Sequence, residues 1–259
     1  MGKSDVKKTV QVEDALLSGY LAPTLVGGLR WGPLIRGRLL RRYKRFLADV
    51  ELESGETVTA HTANTGTMLG CSEPGRPGWL SHHDLPTRKL KYTLEMIEMP
   101  TALVGVNTGV PNRLVKAAAR AGRISELGRP VEVAAEVKRG DSRLDLLLRY
   151  DDGGPDALVE IKNCSLVEDG TAFFPDAVTE RGKKHLEELT AIAEAGERAV
   201  IFILAQRGDA QRFSPADHID PAWGKTLRHA LRSGVELVAY RAEVTVEDIG
   251  IGRALPVAL

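Results

Sequence analysis

Cysteine is scarce: Cys71 and Cys164 are the only two in 259 residues, and they lie far apart. Two isolated thiols argue against a disulfide framework and against a cysteine-based zinc site, and they suit a chain kept in a reducing compartment. Long apolar runs are also missing. The least polar N-terminal stretch, residues 16–29, is too short to cross a bilayer and is interrupted by Gly19, Pro23, Gly27 and Gly28. Lys3, Lys7 and Lys8 resemble the start of a signal peptide, but Glu13 and Asp14 stand where its apolar segment should begin. The expectation is a cytoplasmic protein with no membrane partner. Net charge is absent too, with 35 Lys and Arg against 35 Asp and Glu, and there is no Gly-x-x period or low-complexity tract. With 43% hydrophobic residues, the chain is globular, with enough length for one large domain or two ordinary ones.

The charge balance hides a local gap. Between Ala15 and Ala48 there is no acidic residue, and the same stretch holds Arg30, Arg36, Arg38, Arg41, Arg42, Lys44 and Arg45, with Tyr43 and Phe46 interleaved. A second basic cluster is Arg88, Lys89 and Lys91. Two readings are open: a charged strand edge kept soluble, or a surface that tracks phosphates.

Residues 39–108 consist of short alternating or apolar runs broken by Gly, Pro and Asn. That is all-β grammar, and five or so strands in this length suit a small OB-type barrel or a plain meander. Phe46, Ala48, Val50 and Leu52 share one strand parity. After Pro111 the grammar changes, since Asn112 to Ala119 is a strong helix sequence ended by Gly122. Residues 109–259 then alternate strands and helices as an α/β domain with a central mixed sheet. Residues 1–38 form an N-terminal extension without an evident role.

The chemistry gathers in Ser142-Arg143-Leu144-Asp145, a turn over residues 151–156, and Leu158-Val159-Glu160-Ile161-Lys162. A turn centred between Gly153 and Gly154 sets Asp145 opposite Lys162, with Glu160 its diagonal neighbour. Leu144, Leu146, Leu148, Val159 and Ile161 would form the opposite, apolar face. Two converging carboxylates are the set that a hard divalent ion such as Mg²⁺ takes while keeping several waters. A nearby Lys can orient a water and stabilise charge on a phosphate. The plainer alternative is an ion pair across a hairpin.

An Asp followed by a strand pair and Glu-x-Lys resembles the metal site of the PD-(D/E)xK nuclease superfamily. The wider chain resembles the sugar fermentation stimulation protein A (SfsA) family. The resemblance is carried by residues 42–50 (Arg42-Tyr43-Lys44-Arg45-Phe46 and on to Val50), Asn64-Thr65-Gly66-Thr67-Met68-Leu69-Gly70-Cys71, Val106-Asn107-Thr108, Asn112-Arg113-Leu114, Ser142-Arg143-Leu144-Asp145, and residues 174–182 from Phe174 to Gly182. It implies an N-terminal OB-fold joined to a nuclease-like α/β domain, a non-specific DNA partner, and a link to regulation of sugar use. It further implies Asp145, Glu160 and Lys162 as catalytic residues, with Asp145 and Glu160 holding Mg²⁺ or Mn²⁺. Arg42, Lys44, Arg45, Arg88, Lys89, Lys91, Arg181 and Lys184 are the candidate nucleic-acid contacts. Residues 1–38 lie outside the resemblance.

Other residues have two readings each. Arg181, Lys184, His185 and Glu188 share one face of a helix, either bordering the site or simply solvated. Glu126 or Glu136 could supply a further acid, or be surface charges. Gln206 could support the site, or be a strand-end polar residue. His82-His83-Asp84 lacks the spacing of a zinc site and reads as a loop. The function that fits is a non-specific DNA binder with a metal-dependent nuclease site. The alternatives are a non-catalytic DNA-binding regulator and a metabolic protein without a nucleic-acid role.

Overall fold

The structure, a computed structural model, describes residues 21–24, 26–139 and 142–259, so Lys3, Lys7, Lys8, Glu13 and Asp14 lie outside the described residues. In chain order the elements are β1 (Leu21–Pro23), β2 (Leu29–Trp31), β3 (Leu34–Tyr43), β4 (Leu47–Leu52), β5 (Thr57–His61), β6 (Pro77–His82), β7 (Tyr92–Glu98), β8 (Leu103–Gly105), α1 (Val110–Arg120), β9 (Glu132–Arg139), β10 (Ser142–Arg149) and β11 (Ala157–Cys164). They continue with β12 (Leu166–Glu168), β13 (Thr171–Phe174), α2 (Glu180–Glu194), β14 (Arg198–Ala205), β15 (Arg212–Pro215), α3 (Pro221–Arg232), β16 (Glu236–Val244) and β17 (Asp248–Ala254).

The N-terminal unit is a closed five-stranded barrel. β3 pairs antiparallel with β4 and β6, β4 with β5, β6 with β7, and a parallel β5–β7 pairing closes the ring. β3 passes so close to β4 that a Cβ at Gly37 would stand 2.6 Å from Val50 Cγ1 and 2.8 Å from the Glu51 carbonyl oxygen, so only glycine allows this crossing. Leu39, Ala48, Val50, Val58, Ala60, Leu80, Leu94 and Ile97 fill the interior. Ala48, Val50 and Leu52 occupy the core as their parity requires, but Phe46 lies beyond the core and is 46% exposed.

The second unit is an eight-stranded sheet in the order β1-β2-β17-β16-β14-β11-β10-β9, with a separate β12-β13-β15 sheet beside it. β9, β10 and β11 form an antiparallel meander, and β11, β14 and β16 are parallel. α1 covers one face through Leu114, Val115 and Ala118 against Leu146, Val159 and Phe202. α2 and α3 cover the other, where Leu186, Leu189 and Trp223 meet Leu158, Ile201 and Ile203. β11 and β14 are thus covered on both sides, which explains their nearly unbroken apolar runs.

One expectation changes and two segments gain detail. Part of the N-terminal extension packs on the second unit: Leu21, Leu29 and Trp31 are buried under α1, and β1 and β2 extend the large sheet along β17. Leu144 does not share a face with Leu146 and Leu148, since it packs with the α2–α3 layer and they pack with α1. His83 does lie in the loop that follows β6, but it is buried there, with its Nε2 2.8 Å from Ser81 Oγ. Ser81 Oγ donates its proton to Glu95 Oε1 at 2.6 Å, so His83 must donate to Ser81 through a protonated Nε2.

Burial, with Arg88 and His82 adding to it, pushes the His83 imidazole down to about 4. An unfolded histidine titrates near pH 6.5. Between these values the unfolded chain holds a proton that the folded chain refuses, so this contribution to stability is complete above about pH 6.5 and is lost as pH falls towards 4. His83→Gln keeps a donor and removes the titration. Urea midpoints measured from pH 7 to 4.5 should fall more steeply for the wild type, by up to about 1.4 kcal/mol per pH unit. Equal slopes would show that His83 does not titrate this way.

Candidate active site

The β10–β11 ladder pairs Leu146 with Val159, Leu147 with Leu158 and Leu148 with Ala157, so the register continued one step past its last pair runs Asp145 to Glu160 and not to Lys162. The cause is the turn. Gly153 takes a left-handed φ of +83° and Asp152 Oδ1 accepts from Gly154 N at 2.9 Å, so the turn centres between Asp152 and Gly153. The two carboxylates are close enough for the Glu160 charge to act on Asp145.

Asp145 is held from two sides: Oδ1 accepts from Asn112 Nδ2 and Oδ2 from Ile161 N, both at 2.7 Å. Burial and then the nearby Glu160 charge raise its carboxyl to about 6, against the opposing pull of these donors. Glu160 is 3% exposed in a strand covered on both faces. Its Oε1 accepts from Lys162 Nζ at 2.7 Å and from His185 Nδ1, and Lys162 Nζ is 3.0 Å from His185 Nδ1. Burial alone would raise the Glu160 carboxyl, but hydrogen bonds from His185 and Lys162 and the Lys162 charge hold it below its ordinary value.

One atom is left over. Glu160 Oε2 is buried and has no hydrogen-bond partner, although a buried acceptor normally has one. An idle oxygen on a carboxylate that lies within electrostatic reach of a second carboxylate is a hard-oxygen donor set, so Asp145 and Glu160 fit a divalent cation such as Mg²⁺. Among the described residues no three His, Cys, Asp or Glu side chains form a fuller metal cage. An ion at this pair would keep several waters.

The remaining candidates divide. His185 is a direct partner of Glu160, and Arg181 Nε lies 3.4 Å from His185 Nε2 at the exposed start of α2. Lys184 turns to Glu188 instead. Glu126 is not brought to the site: it accepts from Tyr240 and Ser125 under the opposite part of the sheet. Glu136 lies across from β10 but is exposed and paired with Arg143. Gln206 is buried where the two units meet, its Nε2 donating to the Asn107 carbonyl and to Asn163 Oδ1. It joins the domains and touches neither acid.

Three cations of the basic block are neutralised within the barrel, Arg36 by Glu53 just past β4 and by Glu98 of β7, Arg38 by Glu51 and Arg41 by Asp49. Arg42 faces inward, donating to the carbonyls of Arg45, Asn64, Gly66 and Thr67, so its guanidinium is unavailable to a phosphate. Arg88 turns to Thr93 and Lys91 pairs with Asp84. Lys44, Arg45 and Lys89 remain exposed. Asn112 is the site residue without an assigned role at the sequence level. Beyond its place in the Asn112-Arg113-Leu114 motif, its signal is a polar side chain in the first turn of a helix whose next turns are apolar.

Removing one partner of a buried pair leaves an uncompensated charge, and this sets an expectation for Lys162. Lys162→Met should cost about 3 kcal/mol in urea unfolding at pH 7.5, and adding Glu160→Gln should recover most of that loss. Equal losses in the single and double variants would show that the two side chains are not coupled.

Comparison with known proteins agrees with this architecture. Residues 40–106 match the family model described as the SfsA N-terminal OB domain, and residues 109–248 match the sugar fermentation stimulation protein RE domain. The sugar fermentation stimulation protein homolog of Geobacter sulfurreducens is 50% identical over 226 residues, 87% of this chain and 96% of that protein. The homolog of Syntrophotalea carbinolica is 51% identical over 228 residues, 88% of this chain and 97% of its own. Among solved structures, Pyrococcus furiosus SfsA, described in complex with Ca²⁺, superposes with a TM-score of 0.79 at 28% identity, covering 89% of this chain and 98% of that one. With both domain models matched in order and relatives at half identity along nearly their whole length, the chain belongs to the sugar fermentation stimulation protein (SfsA) family.

Proposed function

We propose that this protein binds DNA without sequence preference and hydrolyses phosphodiester bonds with the help of a divalent metal. The observation that carries the proposal is Glu160, a charged residue in a strand buried on both faces, within electrostatic reach of Asp145 and with an oxygen left unpaired. Such a charge is costly to bury and replaceable by a packed apolar residue, so its presence points to chemistry. That a family member is described with Ca²⁺ supports a divalent ion as the ligand.

Asp145 and Glu160 would hold the ion, Mg²⁺ or Mn²⁺, which when bound supplies Lewis acidity towards a phosphate oxygen and a water. Asn112 and Ile161 N orient Asp145 for this task. Lys162 Nζ, a donor only, can turn from Glu160 to a non-bridging phosphate oxygen and offset the charge that gathers there. Arg181, exposed one helical turn before His185, is placed to bind a neighbouring phosphate. Lys44, Arg45 and Lys89 would contact the sugar-phosphate backbone, independent of base identity.

A second reading has its own support. Lys162 and His185 close on Glu160 as a tight triangle, which would equally stabilise a non-catalytic DNA-binding regulator. Labelled single- and double-stranded DNA incubated with Mg²⁺ or Mn²⁺ separates the two. Metal-dependent cutting is expected from the wild type and should fall at least a hundredfold in Asp145→Asn, on the scale of losing a group that acts in the transition state. No cutting by either protein, with equal DNA binding, would favour the regulator.

A further inference from the structure

The tip of the β3–β4 hairpin is built for more than a turn. Lys44 and Arg45 both adopt left-handed backbone, with φ of 49° and 66°. That region is disfavoured for residues with a Cβ and is usually given to Gly, Asn or Asp. Two long cations there oppose folding preference, and such local strain gathers at functional sites. Among the described residues neither has a carboxylate partner, while Arg36, Arg38 and Arg41 of the same strand do.

Phe46 follows directly. Its parity matches the core residues Ala48 and Val50, yet it lies past the end of the barrel interior and is 46% exposed. Tyr43, the other aromatic at the tip, is committed elsewhere: its hydroxyl donates to Asp49 Oδ1 at 3.0 Å and the Arg41 guanidinium lies 4.8 Å from its ring centre. Phe46 therefore carries the available aromatic face, next to two unpaired cations.

This tip is also fixed relative to the acids. Arg42 Nη2 binds the Arg45 carbonyl at 2.5 Å, Asn64 O at 2.7 Å and Gly66 O at 2.8 Å, tying the tip to the loop behind it. Thr67 Oγ1 and Met68 N of that loop each reach Asp176 Oδ2 at 3.0 Å, four residues before α2 and its His185. A platform held this way loses little freedom when a ligand docks.

Resting on the nucleic-acid reading above and deepening it, we propose that Phe46 stacks on an unpaired nucleobase while Lys44 and Arg45 hold the flanking phosphates, so that the preferred ligand is single-stranded or locally unpaired nucleic acid. Bases in a duplex already stack on one another and present only phosphates to this tip. An unpaired base offers both its face and its backbone, the combination that sequence-tolerant single-strand sites use.

The test uses the full chain, a fluorescein-labelled oligo-dT and a labelled duplex of equal length, read by anisotropy without added metal. Phe46→Ala should weaken oligo-dT binding about tenfold, in the range expected for one stacked base, and leave duplex binding within about twofold. Phe46→Trp should keep wild-type affinity and add indole emission that oligo-dT quenches. Lys44→Ala with Arg45→Ala should weaken both ligands and lower the salt slope on the single strand by about 1.4. If Phe46→Ala weakens both ligands equally or neither, or if the Phe46→Trp emission is unmoved, the stacking proposal is overturned while binding through Lys44 and Arg45 stands. If the wild type binds neither ligand, the nucleic-acid reading falls as well.

Discussion

A single buried charge organises the α/β unit of this protein. Glu160 sits in β11, under the α2–α3 layer and beside the parallel strand β14, where water cannot solvate it. It stays ionised because Lys162, two residues on along the same strand face, and His185, one turn into α2, both reach its Oε1. His185 can do so only if α2 starts at a defined place. Thr179 fixes that start by accepting from Gly182 N at 3.0 Å, and Asp220 Oδ2 accepts from Thr179 N at 2.9 Å. The same Asp220 caps α3 by accepting from Trp223 N, so one buried carboxylate sets the beginning of both helices over the sheet. The position of the His185 ring thus depends on caps some forty residues apart in sequence.

The barrel is coupled to this site by polar joints. Asn107 donates to the buried Glu95 at 2.8 Å, accepts from Gly109 N at the entry to α1 at 2.9 Å, and offers its carbonyl to Gln206 Nε2. Three residues into the helix, Asn112 holds Asp145. Where Gly105 N meets the Gln206 carbonyl, a Cβ would stand 2.7 Å from Gln206 Oε1, so the close approach of the two units needs glycine there. The second joint, Thr67 and Met68 on Asp176, leads straight to α2. The supports of both carboxylates therefore connect to the barrel.

Much of this was legible in the sequence, because the relevant signals are local. Alternation located the barrel strands, helix grammar located α1 and the charged face of α2, and the charged residues in an apolar strand singled out Asp145, Glu160 and Lys162. Register was not legible, since it turns on where Gly153 adopts its left-handed φ, and a different centre moves Asp145 from one partner to another. Strands of three or four residues such as β1, β2, β12 and β15 are too short to show a period. Gly250 and Gly252 dilute the signal of β17. The basic block looked uniform because the acids that pair with part of it, Asp49 and Glu51 of the next strand and Glu53 just past its end, reach it only through pairing. Phe46 shows the limit of parity, which assigns a face but not where a core ends.

The claim on which the account depends is that Asp145 and Glu160 together form a divalent-ion site whose idle oxygen is completed by the ion. The most direct measurement is the anomalous difference density of crystals soaked in Mn²⁺. The account predicts a peak between the Asp145 and Glu160 carboxylates, with Lys162 drawn away from Glu160 Oε1. A Glu160, Lys162 and His185 triangle that stays closed at saturating Mn²⁺, with no peak at the two acids, would contradict it.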